Sequence, residues 1–259
     1  NVFEVTLGAG VLPGVMVAAG GQGGNAAQQR GGPGGAGGVI GQGAHVPVIL
    51  PVQGTATYTI RVPSTTQGLN AQHPANGRDC TIAVQGQQPF ISAIGGGKGT
   101  SVQGAIADQP GRGGSGGGSG NWGSPEPDAP PGSPGYSNGG EGVAGQGFPG
   151  GDAYGGPWIG GGGGYSERGH KEAGGKGFDL AAAFQLNVSD GPTATFLDSV
   201  SDGGWIAGGG AGVYGNPGNG GTVDKQPGKP YSGAGGGGNA NGQPGASGGC
   251  GVVYIITDA

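Results

Sequence analysis

The sequence predicts a mostly β and irregular fold. Short antiparallel strands fill the N-terminal third and the C-terminus, a glycine-rich bundle of polyglycine II helices lies between them, and there is little or no α-helix. Three observations carry this. Of 259 residues, 74 are Gly and 20 are Pro. The apolar residues are gathered in short runs bounded by turn signals. The stretch RGGPGGAGGV (Arg30–Val39) repeats in threes as GGP, GGA, GGV.

The strands follow from those runs. NVFEVTL (Asn1–Leu7) is rich in β formers, and VMVAA (Val15–Ala19) runs into Gly20 and Gly21. VPVILPV (Val46–Val52) precedes a turn expected at Gln53–Gly54, and TATYTIRV (Thr55–Val62) alternates over Ala56, Tyr58, Ile60 and Val62. CTIAV (Cys80–Val84) and PFISAI (Pro89–Ile94) flank a turn at Gly86. GVVYIIT (Gly251–Thr257) is the last run, and chain end and chain start are expected to share a sheet. The Gly-poor insert Phe178–Val200 reads as helix or strand, with strands preferred at Phe184–Val188 and Ala194–Leu197. The organisation expected is 1–94 mainly β with one Gly tract, 95–250 glycine-rich with inserts, and 251–259 a strand returning to the β part, all in one compact unit.

Glycine loses more backbone entropy on ordering than any other residue, so the tracts need a compensating interaction. Polyglycine II repeats every three residues and has no internal hydrogen bonds, like polyproline II. Its N–H and C=O groups point outward and need partners. Helices side by side supply them where no Cβ holds them apart. In Gly31–Val39 two positions of three are Gly, and the third (Pro33, Ala36, Val39) points to an edge.

Composition excludes several alternatives. Collagen would need a sustained G-X-Y register. Disorder normally combines low hydrophobicity with high charge, whereas only 10% of these residues are charged and the net charge is −5. Ten Lys plus Arg are too few for a nucleic-acid footprint. No apolar run approaches the ~20 residues of a membrane-spanning helix. The chain begins at Asn1 with no signal peptide, so a processed, mature or excised chain is expected.

Four segments in order carry a resemblance: VMVAAGGQGG (Val15–Gly24), QGTATYTIRV (Gln53–Val62), FISAIGGGKG (Phe90–Gly99) and SGGCGVVYII (Ser247–Ile256). From Val15 onward the chain resembles the glycine-rich tip domains of bacteriophage tail fibres, the distal tail-fibre adhesins. That resemblance implies a polyglycine II sandwich whose variable loops bind a receptor on the bacterial surface, a glycan or outer-membrane protein loops. It implies a virion (tail-fibre tip) or otherwise extracellular location. A fibre or neighbouring subunit would be met through the N-terminal part, with a homo-oligomer as a further option, and no nucleic acid, membrane insertion or cofactor is expected. The Pro-rich insert Ser124–Pro134 and the segment Phe178–Val200 depart from the pattern. Similar modules also occur in animal receptor ectodomains, and fold alone does not assign function. The alternative is a structural subunit of an extracellular fibril, or a virion decoration protein, with Asn1–Leu7 as pairing strand.

The candidate receptor-binding residues are aromatics between Gly tracts: Trp122, Tyr136, Tyr154, Trp158, Tyr165, Tyr214 and Tyr231. Trp205 sits beside a further tract. Such residues either cap the ends of the bundle or form a rigid recognition surface, since Tyr and Trp offer large contact area at low entropy cost. Both roles can hold together. The two cysteines, Cys80 and Cys250, are lone thiols or a disulfide closing a long loop worth about 5 kcal/mol.

No catalytic or metal site is expected. At this Gly frequency GxGxxG arises by chance and lacks a strand–helix setting, and Lys98 and Lys176 are each followed by Gly, not Ser or Thr. His45, His73 and His170 have no metal-ligand spacing. SERGHKE (Ser166–Glu172) gathers Ser, His and Glu, but reads as a solvated loop rather than an activated nucleophile. Asn187-Val188-Ser189 is a glycosylation sequon in a host that uses one.

Overall fold

The computed structural model describes residues 1–25, 30–64, 74–103, 106–120, 138–153, 158–187, 189–201, 203–212, 215–218, 221–222, 226–239 and 244–255. The elements in chain order are β1 (Val2–Val11), β2 (Gly14–Val17), β3 (Val39–Gly41), β4 (Ile49–Arg61), β5 (Cys80–Val84), β6 (Pro89–Ala93), β7 (Val102–Gln103), β8 (Ile106–Ala107), β9 (Phe178–Asp179), α1 (Leu180–Ala183), α2 (Gly191–Val200), β10 (Trp205–Ile206) and β11 (Val252–Ile255). The fold is mostly β and irregular, with antiparallel sheets and, among the described residues, two short helices.

One sheet has the order β1-β4-β5-β6, a second β11-β2-β3; β7 pairs with β8 and β9 with β10. The second sheet is buried on both faces. Met16 and Ile40 face a core with Leu12, Tyr58, Ile60, Cys80 and Ile82 from the first sheet. Val15, Val17, Val39 and Val252 face a core with Tyr165, Phe178, Leu180, Leu197 and Ile206. Burial on both faces explains why this run is continuously apolar rather than alternating.

Three expectations are corrected. The turn at Gln53–Gly54 is absent, and β4 runs through it, from Ile49 in the first flanking run to Arg61 in the second. The register instead shifts between Gly8 and Gly10 of the neighbouring β1, and Gly54 takes the left-handed φ of +80° that an L side chain resists. The C-terminal strand pairs with β2, not with the Asn1–Leu7 run. Ala194–Leu197 is helical rather than extended, and Phe184 ends α1 instead of opening a strand. The reason is local. Asp190 caps α2 by accepting from the Thr193 N–H at 3.3 Å, and Pro192 occupies the first turn, where its missing N–H costs nothing.

The rest of the interior is backbone. From Ala18 to Gly24 successive N–H groups bond three neighbouring segments in turn, and the partner returns every third residue. Ala18, Gly21 and Gly24 donate to Gly38, Gly35 and Gly32; Ala19 and Gln22 donate to Arg78 and Ala75; Gly20 and Gly23 donate to Gly249 and Ala246. The next row behaves alike. Gly31, Gly34 and Gly37 donate to Asn239, Gly236 and Gly233, while Gly32, Gly35 and Gly38 donate to Thr100, Gly97 and Ile94. Rows from both sides of residue 94 thus share one lattice. The strands of the second sheet continue those rows: β2 runs into Ala18–Gly24, and β3 and β11 follow directly from Gly tracts.

Slow amide exchange is the expected consequence. Gly160, Gly161, Gly162, Gly163 and Gly164 donate to Ser119, His170, Gly210, Gly116 and Glu167, and Gly209 and Gly210 to Gly175 and Gly34. All seven are buried. Hydrogen-exchange NMR should find these amides protected although they belong to no helix or named strand. Uniformly fast exchange would refute the lattice.

Candidate recognition surface

The lattice has two different ends. At one, its rows run into the second sheet and the hydrophobic cores. At the other, row ends bond to one another where chain segments leave and return. Gly160 N–H donates to Ser119 O, Ser119 N–H to Gly151 O, Glu172 N–H to Ile159 O and Gly212 N–H to Glu172 O. Gly31 N–H donates to Asn239 O, Gly238 N–H to Ala211 O, and Asn25 N–H to Ser101 Oγ at 3.0 Å. Gly139 N–H, on the returning side of segment 121–137, donates to Asp152 Oδ1 at 2.8 Å. The residues that begin or close segments 26–29, 121–137, 154–157, 213–214 and 240–243 therefore share this end.

Trp122 and Tyr136 (in 121–137), Tyr154 and Tyr214 lie outside the described residues; the anchors of their segments lie at this end. Trp158 is described there. It is 39% exposed, and the Lys171 ammonium sits 3.7 Å from its ring centroid, a cation–π contact. Next to Lys171, the Glu172 carboxylate is buried and meets Arg30 at 3.2 Å. Asp152 meets Arg168 at 3.3 Å. The sequence reads Lys171 and Glu172 as part of a solvated loop, which the burial of Glu172 at 3% exposure corrects, and it gives no sign of Arg30. Arg30 and Glu172 are 142 positions apart, and no local pattern links a charge to so distant a partner.

One candidate is corrected and another is placed apart from the rest. Tyr165 is 5% exposed and belongs to the second core. Its hydroxyl accepts from the His45 N–H at 2.8 Å, its ring packs edge-on to Phe178 at 5.3 Å, and burial raises its pKa. It supports the fold and is closed to a receptor. Tyr231 is exposed but lies at the sheet end. Its N–H donates to Cys250 Sγ at 2.8 Å, and its carbonyl accepts from the Tyr254 hydroxyl at 3.2 Å. Trp205 lies in β10, beside the second core.

Cys80 and Cys250 are both buried free thiols, so the disulfide is also corrected. Cys80 points into the first core, where burial pushes its pKa up to about 12, which keeps it protonated and unreactive. In SERGHKE the Ser166 hydroxyl donates to Gly177 O at 2.8 Å, while His170 lies 3.3 Å from Glu167. Each is engaged elsewhere, so this cluster presents no Ser–His pair. Among the described residues no three His, Cys, Asp or Glu side chains gather as metal ligands, and no helix is long and apolar enough to cross a membrane.

Compared with known proteins, the chain matches no family model, no curated protein and no solved structure.

Proposed function

We propose that the chain is a non-enzymatic surface-binding protein, a phage tail-fibre-tip adhesin that recognises a bacterial surface receptor, either a glycan or outer-membrane protein loops. The observation that carries this reading is the gathering of segment ends and Trp158 at one end of a backbone-bonded lattice. In this reading the Gly rows are polyglycine II helices, since return to the same neighbour every third residue suits three residues per turn. Substitution is confined to the connections, because a Cβ on most row positions would meet another backbone. Binding residues are commonly carried by loops on a rigid scaffold. Low charge favours stacking and hydrogen bonding to the receptor over electrostatic capture. The location that follows is the virion tip or another extracellular surface.

Alanine replacement of Trp158, and of Trp122, Tyr136, Tyr154 and Tyr214 in turn, tests this. Binding of the purified chain to susceptible cells should weaken by ~1–2 kcal/mol at the strongest positions, with the melting temperature almost unchanged. Binding that survives all five replacements places the site elsewhere; loss of melting makes these side chains caps.

The second reading is a structural subunit of an extracellular fibril or a virion decoration protein. It is favoured by the long exposed strand β1 at the edge of the first sheet. Filaments seen by electron microscopy would support it over the adhesin.

A further inference from the structure

The two edges of the first sheet are unlike. The β6 edge is only five residues long and begins with Pro89. Gln146 also covers it, donating through Nε2 to Ser92 O at 3.1 Å and accepting through Oε1 from the Ile94 N–H at 2.8 Å. The β1 edge is ten residues long, has no Pro or Lys, and among the described residues no strand lies beyond it. Natural edges are normally blunted by such devices.

The ladder shows which groups are unpaired. The Asn1 nitrogen donates to Val62 O at 2.9 Å, and Val62 N–H donates to Asn1 O at 2.9 Å. In an antiparallel pair such mutual bonding alternates. With the register Phe3–Ile60, Val5–Tyr58 and Leu7–Ala56, the odd residues bond β4. Val2, Glu4, Thr6 and Gly8 therefore turn their N–H and C=O groups to the open edge.

We propose that β1 pairs antiparallel with β1 of a second copy of this chain, about a two-fold axis at Val5. Val2 then lies opposite the partner's Gly8, Phe3 opposite the partner's Leu7, and Glu4 opposite the partner's Thr6. Outward groups meet outward groups, as the ladder requires. Centring on Glu4 would set two carboxylates face to face, which is destabilising. Centring on Thr6 would run Val2 against the partner's Gly10, inside the stretch where the register shifts. The Val5 centre avoids both. It also extends the apolar face: Phe3 is 53% exposed and, with Val5, Ile60 and Val253, lines a cleft of about 270 Å³. The partner's Leu7 falls beside Phe3 at this cleft.

Sedimentation of the full chain across a dilution series tests the pairing, with variants at Thr6 on the exposed face of β1 and at Val5 on its half-buried face. A reversible dimer is expected. Thr6→Glu places a carboxylate opposite the partner's Glu4 twice per dimer and should weaken it about tenfold, whereas Thr6→Lys should tighten it a few-fold. Val5→Cys should give a dimer cross-linked under mild oxidation and released by dithiothreitol, which the unmodified chain does not give. A chain monomeric at tens of micromolar overturns the proposal, whether its edge is free or reserved for a different protein. So does a dimer that responds equally to Thr6→Glu and Thr6→Lys, or one that fails to cross-link through Val5→Cys.

Discussion

Gly35→Ala is expected to lose about 3 kcal/mol of stability or more, which for a chain of this size lowers the melting temperature by roughly 6–12 °C. The cause is a single methyl group. A Cβ at Gly35 would lie against the carbonyl oxygens of Ser115 and Gly116 and 2.6 Å from the Gly116 carbonyl carbon. These atoms are backbone and cannot rotate away. To relieve the clash the rows must separate, which breaks the bonds from Ser115 N–H to Ala36 O (3.0 Å) and from Gly118 N–H to Pro33 O (2.8 Å). Each buried group left unmade costs about 1–3 kcal/mol. Two controls isolate the cause. Gly191→Ala meets nothing within 4 Å beyond its chain neighbours; the crowding of its Cβ by Pro192 offsets the gain through the unfolded state, and the net change should stay within about 1 kcal/mol. Ala36→Val extends a side chain already directed into the second core and should cost about 1–3 kcal/mol by overpacking. Thermal melts of the three variants decide it, and a Gly35→Ala protein that melts with Gly191→Ala would contradict the packing.

Arg30→Met should cost about 3 kcal/mol, because it removes the guanidinium from a carboxylate that is almost fully buried. The Arg30 and Glu172 side chains are 21% and 4% exposed and 3.2 Å apart. Glu172 also ties the surface together through its backbone, donating to Ile159 O and accepting from Gly212 N–H. The double variant Arg30→Met with Glu172→Gln should recover part of the loss, since the buried side chain at 172 then carries no charge. Urea titrations of the single and double variants measure the coupling. Additive losses would show that the two charges do not stabilise one another.

Strand positions were legible where local chemistry decides. Cys80–Val84 and Pro89–Ala93 appear where the apolar runs and Gly86 place them, because a short β run needs only its own residues and a turn. At Gly191–Val200 two local signals compete: the β-branched Thr193 and Thr195 favour a strand, and the Asp190 cap with Pro192 in the first turn decides for the helix. The continuity of β4 through Gly54 was not. Whether a Gly bends the chain back or forms an irregularity inside a strand depends on the partner strand, here β1.

The candidate site divides the same way. Aromatic residues beside Gly tracts are visible in the sequence, yet Tyr165 is sealed in a core and Trp158 is exposed at the opposite end. Both follow the same local pattern, Gly on one side and a short insert on the other. Nothing within a few residues records which end of a row it occupies. That depends on more distant partners: the Phe148 N–H donates to Gly164 O, and the Glu172 N–H to Ile159 O.

By itself the sequence determined that much of the interior is held by backbone, beside cores of apolar side chains. A chain with 74 Gly among 259 residues has too few side chains to fill its whole interior, and the GGX register keeps Cβ atoms away from the faces that touch. Only the tertiary structure decided which row bonds which. Glycine rows are chemically alike, so no side chain labels the partner. The choice between Gly35–Gly97 and any other pairing is made by the sheets and inserts that set where each row begins.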